Sequence, residues 1–178
     1  MLSFQAALAT IPQKLLESKP EPPFEVLPLD RAHRRVLAED VSADRDYPPF
    51  HRSTRDGFAV GSADVAVIPA TLTCLGEVRA GEHFAGKIGP GECAAIMTGA
   101  PLPAGADAVV MLEHVHADGT TVRVQRSVSA GENVVKQGSE ASRGTLVLGR
   151  GRRLGAGEIG LLASVGKAQA RVFLPPQV

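Results

Sequence analysis

The stretch Ala108-Val109-Val110-Met111-Leu112-Glu113-His114-Val115-His116-Ala117-Asp118-Gly119-Thr120-Thr121-Val122-Arg123-Val124 sets the character of the chain. An apolar, β-branched run reaches His116, and a second run starts at Thr121 and continues to Val128. Asp-Gly between two such runs is a strong signal for a tight β-hairpin. The same grammar extends outward. Gly57 to Val60, Ala70 to Val78 and Cys93 to Met97 are short strand-like runs, with turns at Gly89-Pro90-Gly91 and Pro101 to Gly105. Gly, Pro and Asp between short apolar runs punctuate strands, not helices. The block 42–130 is therefore predicted to be mostly β.

The flanks read differently. Ser3 is placed to cap a helix in which Phe4, Ala7, Leu8, Ile11 and Leu15 share one face, and Pro12 should kink or restart it. Pro20 to Pro23 is a proline-rich linker. Phe24 to Leu29 is extended. Asp30 looks like the cap of a second helix, Arg31 to Ala38, burying Ala32, Val36 and Leu37 and turning Arg34 and Arg35 to solvent or a partner. Beyond a polar stretch to Gly144, Thr145 to Leu148 is a strand, Gly155 to Val165 a helix closed by Gly166, and Lys167 to Leu174 a last strand. The expected fold is α+β and β-rich: a β-rich domain (42–130) inserted into a mixed α/β domain (1–41 plus 131–178).

Composition narrows the function. Lys plus Arg (19) equal Asp plus Glu (19), and aromatics are 4% with no Trp. That disfavours nucleic-acid binding, which needs a basic footprint or stacking side chains. Gly (19) and Pro (13) together exceed the roughly 12% of an average chain, so turns are frequent. No run reaches the roughly 18 apolar residues of a membrane span. The start lacks a basic n-region, so the chain is read as cytoplasmic, with Cys74 and Cys93 as reduced core thiols; one disulfide between them is the alternative.

Three loops carry chemistry. Tyr47-Pro48-Pro49-Phe50-His51-Arg52-Ser53-Thr54-Arg55-Asp56-Gly57 gathers polar residues behind a stiff entry. Arg52, Arg55 and His51 can hold an anion, Ser53 and Thr54 can donate hydrogen bonds, and Asp56 can ligate Mg²⁺ or orient water. Asp56-Gly57 is equally an ordinary turn. In Ile96-Met97-Thr98-Gly99-Ala100-Pro101, Thr98 offers a hydroxyl and Gly99 lets a ligand approach the backbone, although the loop also reads as a plain strand end. In Gly131 to Glu140, Glu140 could add a second carboxylate; alone the loop reads as solvated. His114 and His116 would face one side of a strand; without a third ligand they read as an exposed edge.

Taken together, the chain resembles the N-terminal region of the MoeA family of molybdopterin molybdenumtransferases, related to the E domain of gephyrin. The marks are Arg35-Val36-Leu37-Ala38-Glu39-Asp40-Val41, Pro48-Pro49-Phe50 with Ser53 and Asp56-Gly57-Phe58-Ala59, and Ala80-Gly81-Glu82. Ile96 to Pro101 with Gly105-Ala106-Asp107-Ala108-Val109-Val110, Gly131-Glu132-Asn133-Val134, and Ile159 to Gly166 complete them.

The resemblance implies an enzyme that hydrolyses adenylylated molybdopterin and inserts molybdate at its dithiolene, with Mg²⁺ assisting. It implies a homodimer, with a molybdopterin adenylyltransferase as a possible partner. It carries Asp56 and Thr98 over as catalytic positions, Ser53, Gly99, Arg52 and Arg55 as substrate-binding, and Asp56 with Glu140 as metal ligands. Three departures stand out. Arg52-Ser53-Thr54-Arg55-Asp56-Gly57 replaces the frequent Asn-Ser-Ala-Met-Asp-Gly, Gly138-Ser139-Glu140 replaces Gly-Glu-Asp, and Arg34-Arg35 replaces Gly-Arg. The chain ends where the family's nucleotide-fold domain would begin, so that domain is expected to be absent and these residues alone inactive. A non-catalytic dimerising scaffold of gephyrin type is the alternative, and a generic anion-binding β-domain built on Arg52 and Arg55 a third.

Overall fold

The computed structural model describes residues 3–17 and 22–175. Contacts divide the chain into two compact units, Met1–Ser42 with Leu146–Val178, and Ala43–Thr145. In chain order the elements begin with α1 (Phe4–Glu17), β1 (Phe24–Pro28), β2 (Val41–Ser42), β3 (Arg52–Ser53), β4 (Gly57–Val60), β5 (Ala70–Val78) and β6 (Glu92–Ile96). They continue with β7 (Ala108–Met111), β8 (Val115–Asp118), β9 (Thr121–Val124), β10 (Val134–Val135), β11 (Leu146–Leu148), α2 (Ala156–Ser164) and β12 (Gln169–Phe173).

In the first unit β1 pairs antiparallel with β12, from Phe24 opposite Phe173 to Pro28 opposite Gln169, and β2 pairs with β11. Ala32, Leu37, Leu154, Leu162, Ala170 and Val172 are buried to 1% exposure or less. α2 ends as expected, with the Gly166 N–H donating to Ala163 O and the Lys167 N–H to Leu162 O. α1 starts as expected, with Ala6 N–H donating to Ser3 Oγ, but it runs through Pro12 as one helix. Pro20 and Glu21 of the expected linker lie outside the described residues.

The expected helix over 31–38 does not form. A single 3₁₀ turn, Leu29–Arg31, follows β1, and its cap is Pro28 with no side-chain bond, so Asp30 is not the cap. Long-range pairing takes over next: Leu37 N–H donates to Arg152 O, Ala38 N–H to Arg171 O, and Phe173 N–H to Val36 O. A helix of this length is marginal on its own, so strand partners win. Arg35 is also drawn inward. Its guanidinium is 2.6 Å from Glu25 Oε1 and donates to Phe173 O.

The second unit is built on a six-stranded sheet in the order β7-β4-β6-β5-β9-β8. β4 lies antiparallel between β6 and β7, β5 runs parallel to β6, and β8 and β9 form the expected hairpin. Buried side chains alternate along the central strands. Phe58, Val60, Cys93, Ala108, Val110 and Val122 enter one core cluster, while Ala59, Ala94, Ile96 and Val109 enter another. The centre of the sheet is thus covered on both faces, which explains its continuous apolar runs. The run read as one strand over Ala108 to His116 is broken by a 3₁₀ turn at Leu112–His114, so His114 and His116 do not share a strand face. β9 stops at Val124, short of Val128. Residues 131–145 belong to this unit: β10 pairs with β3, Asn133 Nδ2 donates to Val109 O, and Glu140 N–H donates to Tyr47 O.

Candidate active site at the end of the six-stranded sheet

The register of three strands assembles the site. Gly57, the first residue of β4, stands opposite Ile96, the last of β6, and opposite Met111, the last of β7. The residues just before β4 and just after β6 and β7 therefore meet at one end of the sheet. Thr54, Arg55, Asp56, Thr98, Met111, Leu112 and Glu113 line an open cleft of about 380 Å³ there. Gly57 is required by close approach: a Cβ built on it would lie 2.0 Å from the Val110 carbonyl oxygen.

Asp56 and Thr98 are directly coupled. The Thr98 backbone N–H donates to Asp56 Oδ1 at 2.7 Å, and the Thr98 hydroxyl donates to the same oxygen at 2.8 Å. The backbone bond first and the hydroxyl second hold the Asp56 carboxyl below its ordinary value of 3.8, so it is ionised at neutral pH. Both donors converge on Oδ1, which fixes the carboxylate and leaves Oδ2 without a hydrogen-bond donor among the described residues. The Thr98 hydroxyl proton is directed at Asp56, so Thr98 can offer a ligand only an acceptor in this arrangement.

The other expected residues fall into place around this pair. Ser53 is 2% exposed, its hydroxyl donates to Arg55 O, and it accepts the Arg55 N–H. It shapes the loop and does not line the cleft. The Gly99 N–H donates to Ser53 O, while the space where a side chain would stand at Gly99 is open and φ is +83°. Arg52 pairs with Glu140 at 3.1 Å, both exposed, and neither lines the cleft. Arg55 does line it and has no ion-pair partner among the described residues. Glu113, which the sequence reading missed, adds a second carboxylate to the cleft. Its only signal was the polar break inside the Ala108 to His116 run. Among the described residues no group of three or more His, Cys, Asp or Glu is placed to hold a metal ion. Mg²⁺ demands a near-octahedral oxygen shell, and these residues alone do not supply one.

The fold and the cleft define a β-rich, two-unit protein with an ionised, threonine-held aspartate at the end of a mixed sheet. A family model for the MoeA N-terminal region (domain I and II) matches residues 2–166, and the chain belongs to that family. The molybdopterin molybdenumtransferase of Bacillus subtilis (strain 168) is 37% identical over 162 residues, covering 86% of this chain and 38% of its own. That of Synechococcus elongatus is 34% identical over 180 residues, covering 97% of this chain and 44% of its own. The crystal structure of a molybdopterin biosynthesis MoeA protein from Pyrococcus horikoshii superposes with a TM-score of 0.85 at 35% identity, over 95% of this chain and 44% of that one. The chain thus spans about two fifths of the length of the curated relatives it matches.

Proposed function

We propose that the chain supplies part of a composite active site for molybdenum cofactor biosynthesis, acting on adenylylated molybdopterin and molybdate as a molybdopterin molybdenumtransferase. The observation that carries this reading is the convergence of both Thr98 donors on Asp56 Oδ1 in an open cleft. A carboxylate held below the ordinary range is a poor proton acceptor, so Asp56 orients the attacking water at the phosphoanhydride instead of taking its proton. Thr98 keeps Asp56 in place. Arg55 draws the anionic substrate into the cleft, with Gly99 leaving room beside it. Arg52, engaged by Glu140, acts at longer range. Mg²⁺, which the family resemblance implies, would find Asp56 here as an oxygen ligand, with Glu113 as a second carboxylate in the same cleft, while Glu140 is turned to Arg52.

The working protein is a cytoplasmic homodimer, with a molybdopterin adenylyltransferase delivering the adenylylated substrate. Phe4 (78% exposed), Leu8 and Ile11 form an exposed apolar stripe on α1, the kind of surface that a second copy covers. Among the described residues no helix is long and apolar enough to cross a membrane.

The test is a hybrid in which these residues replace the matching region of the Bacillus subtilis relative. Asp56→Ala lowers molybdate insertion by about 100-fold, the scale of a misplaced reactant, with the dimer intact. The 178 residues alone give no turnover. Unchanged insertion by the Asp56→Ala hybrid would sink the active-site reading and favour the gephyrin-type scaffold.

A further inference from the structure

Two thiols stand apart from the cleft. Cys74 on β5 and Cys93 on β6 are register partners on neighbouring parallel strands. Paired residues on such strands face the same side, and strands lie about 4.8 Å apart. That spacing falls within the Cα separations of roughly 4.4–6.8 Å that a disulfide bridges. Both residues belong to one core: Cys93 lies within the cluster and Cys74 packs against it.

Their environments differ. Cys93 is fully buried, while Cys74 is half-buried and its thiol donates to Gly76 O at 3.3 Å. Their shared register places the two side chains side by side on one face of the sheet. Burial first, and the neighbouring Cys74 second, push the Cys93 thiol up to about 12. A half-buried thiol paired in register with a buried one is the arrangement of an oxidant-sensing cysteine beside its resolving partner. The register of β5 also shifts immediately after Cys74, between Cys74 and Glu77, so the strand has local slack for a small approach.

We propose that Cys74 and Cys93 form a reversible intramolecular disulfide when the chain meets a peroxide. The Cys74 thiolate attacks one peroxide oxygen, the O–O bond breaks, and water leaves with a sulfenic acid formed on Cys74. The Cys93 sulfur then attacks the Cys74 sulfur. The S–O bond breaks, and the hydroxyl leaves as water with the Cys93 proton. The two thiols together lose two protons and two electrons, and hydrogen peroxide is reduced to two waters. The scarce Cys93 thiolate makes the second step the slow one. The bridge ties β5 to β6, the strand that leads into Thr98.

The experiment treats the full chain with hydrogen peroxide, denatures it, alkylates the remaining thiols and maps peptides without reduction. Neither cysteine is alkylated, the Cys74 peptide is joined to the Cys93 peptide within one chain, and dithiothreitol restores both thiols. In Cys93→Ala, Cys74 stops at the sulfenic acid, is trapped by dimedone and passes on to the sulfinic acid; circular dichroism checks its fold. Wild-type chain whose two thiols still alkylate overturns the proposal. So does overoxidised Cys74 beside a free Cys93, or a Cys74 bridge between two chains. If Cys93→Ala fails to fold, the wild-type map alone decides.

Discussion

A single carboxylate oxygen, Asp56 Oδ1, receives two donors from one residue. Of the two, the backbone N–H contributes more to holding the carboxyl below 3.8, and the hydroxyl less. Thr98→Val removes only the hydroxyl donor, so the Asp56 carboxyl returns part of the way toward its ordinary value. A ¹³C carboxyl titration by NMR reads this directly; an Asp56 midpoint unmoved by Thr98→Val would show that the hydroxyl does not hold it. The local chemistry was legible in the sequence: Asp-Gly after a polar loop, and a Thr-Gly at a strand end. Their meeting was not, because the two residues are 42 positions apart and only the antiparallel register of β4 on β6 brings them together. Glu140 does not line this cleft, for a related reason. Its loop is anchored by β10 on β3, which turns it to Arg52.

At the scale of the element, β4 is tightly constrained. All four of its residues are buried, and it is paired on both sides. Gly57→Ala puts a methyl group against the Val110 carbonyl, which is backbone and cannot swing away. Overpacking of this kind costs about 3 kcal/mol, read as a lowered midpoint in urea unfolding. A midpoint within error of the parent would mean that β7 can shift to admit the side chain. The same strand shows why boundaries were harder to read than elements. Periodicity marks an apolar run at Ala108 to His116, but only pairing with β4 ends β7 at Met111 and frees Glu113. The lost helix at 31–38 is the converse case, in which distant strand partners overrode a helical pattern.

At the scale of the whole molecule, solvent-accessible acids with depressed values set the response to pH. Asp44 is lowered to about 2, chiefly by Arg45 and then by the Tyr47 hydroxyl. Asp46 is lowered by the Arg143 N–H and Gln137, Asp56 by Thr98, and Glu158 by Arg152. Each is depressed on folding, so its contribution is complete above the unfolded value, 3.8 for Asp and 4.5 for Glu, and is lost as pH falls through the folded value. The urea midpoint is therefore flat from neutral pH to about pH 5 and falls below it. Each term is small because the groups keep contact with solvent, and added salt weakens the Arg-paired ones first. A midpoint that rises on acidification would contradict this ordering.

The sequence by itself determined the β character of the middle of the chain, the Gly119 hairpin, the terminal helices and the family likeness. Alternation, turn chemistry and caps act over a few residues, and a motif set keeps its order in any fold that carries it. Only the tertiary structure decided that Arg35 turns inward to Glu25, that Glu113 joins Asp56, and that Cys74 faces Cys93. Those outcomes depend on which strands pair and in which register, and a shift of one residue turns every side chain to the other face.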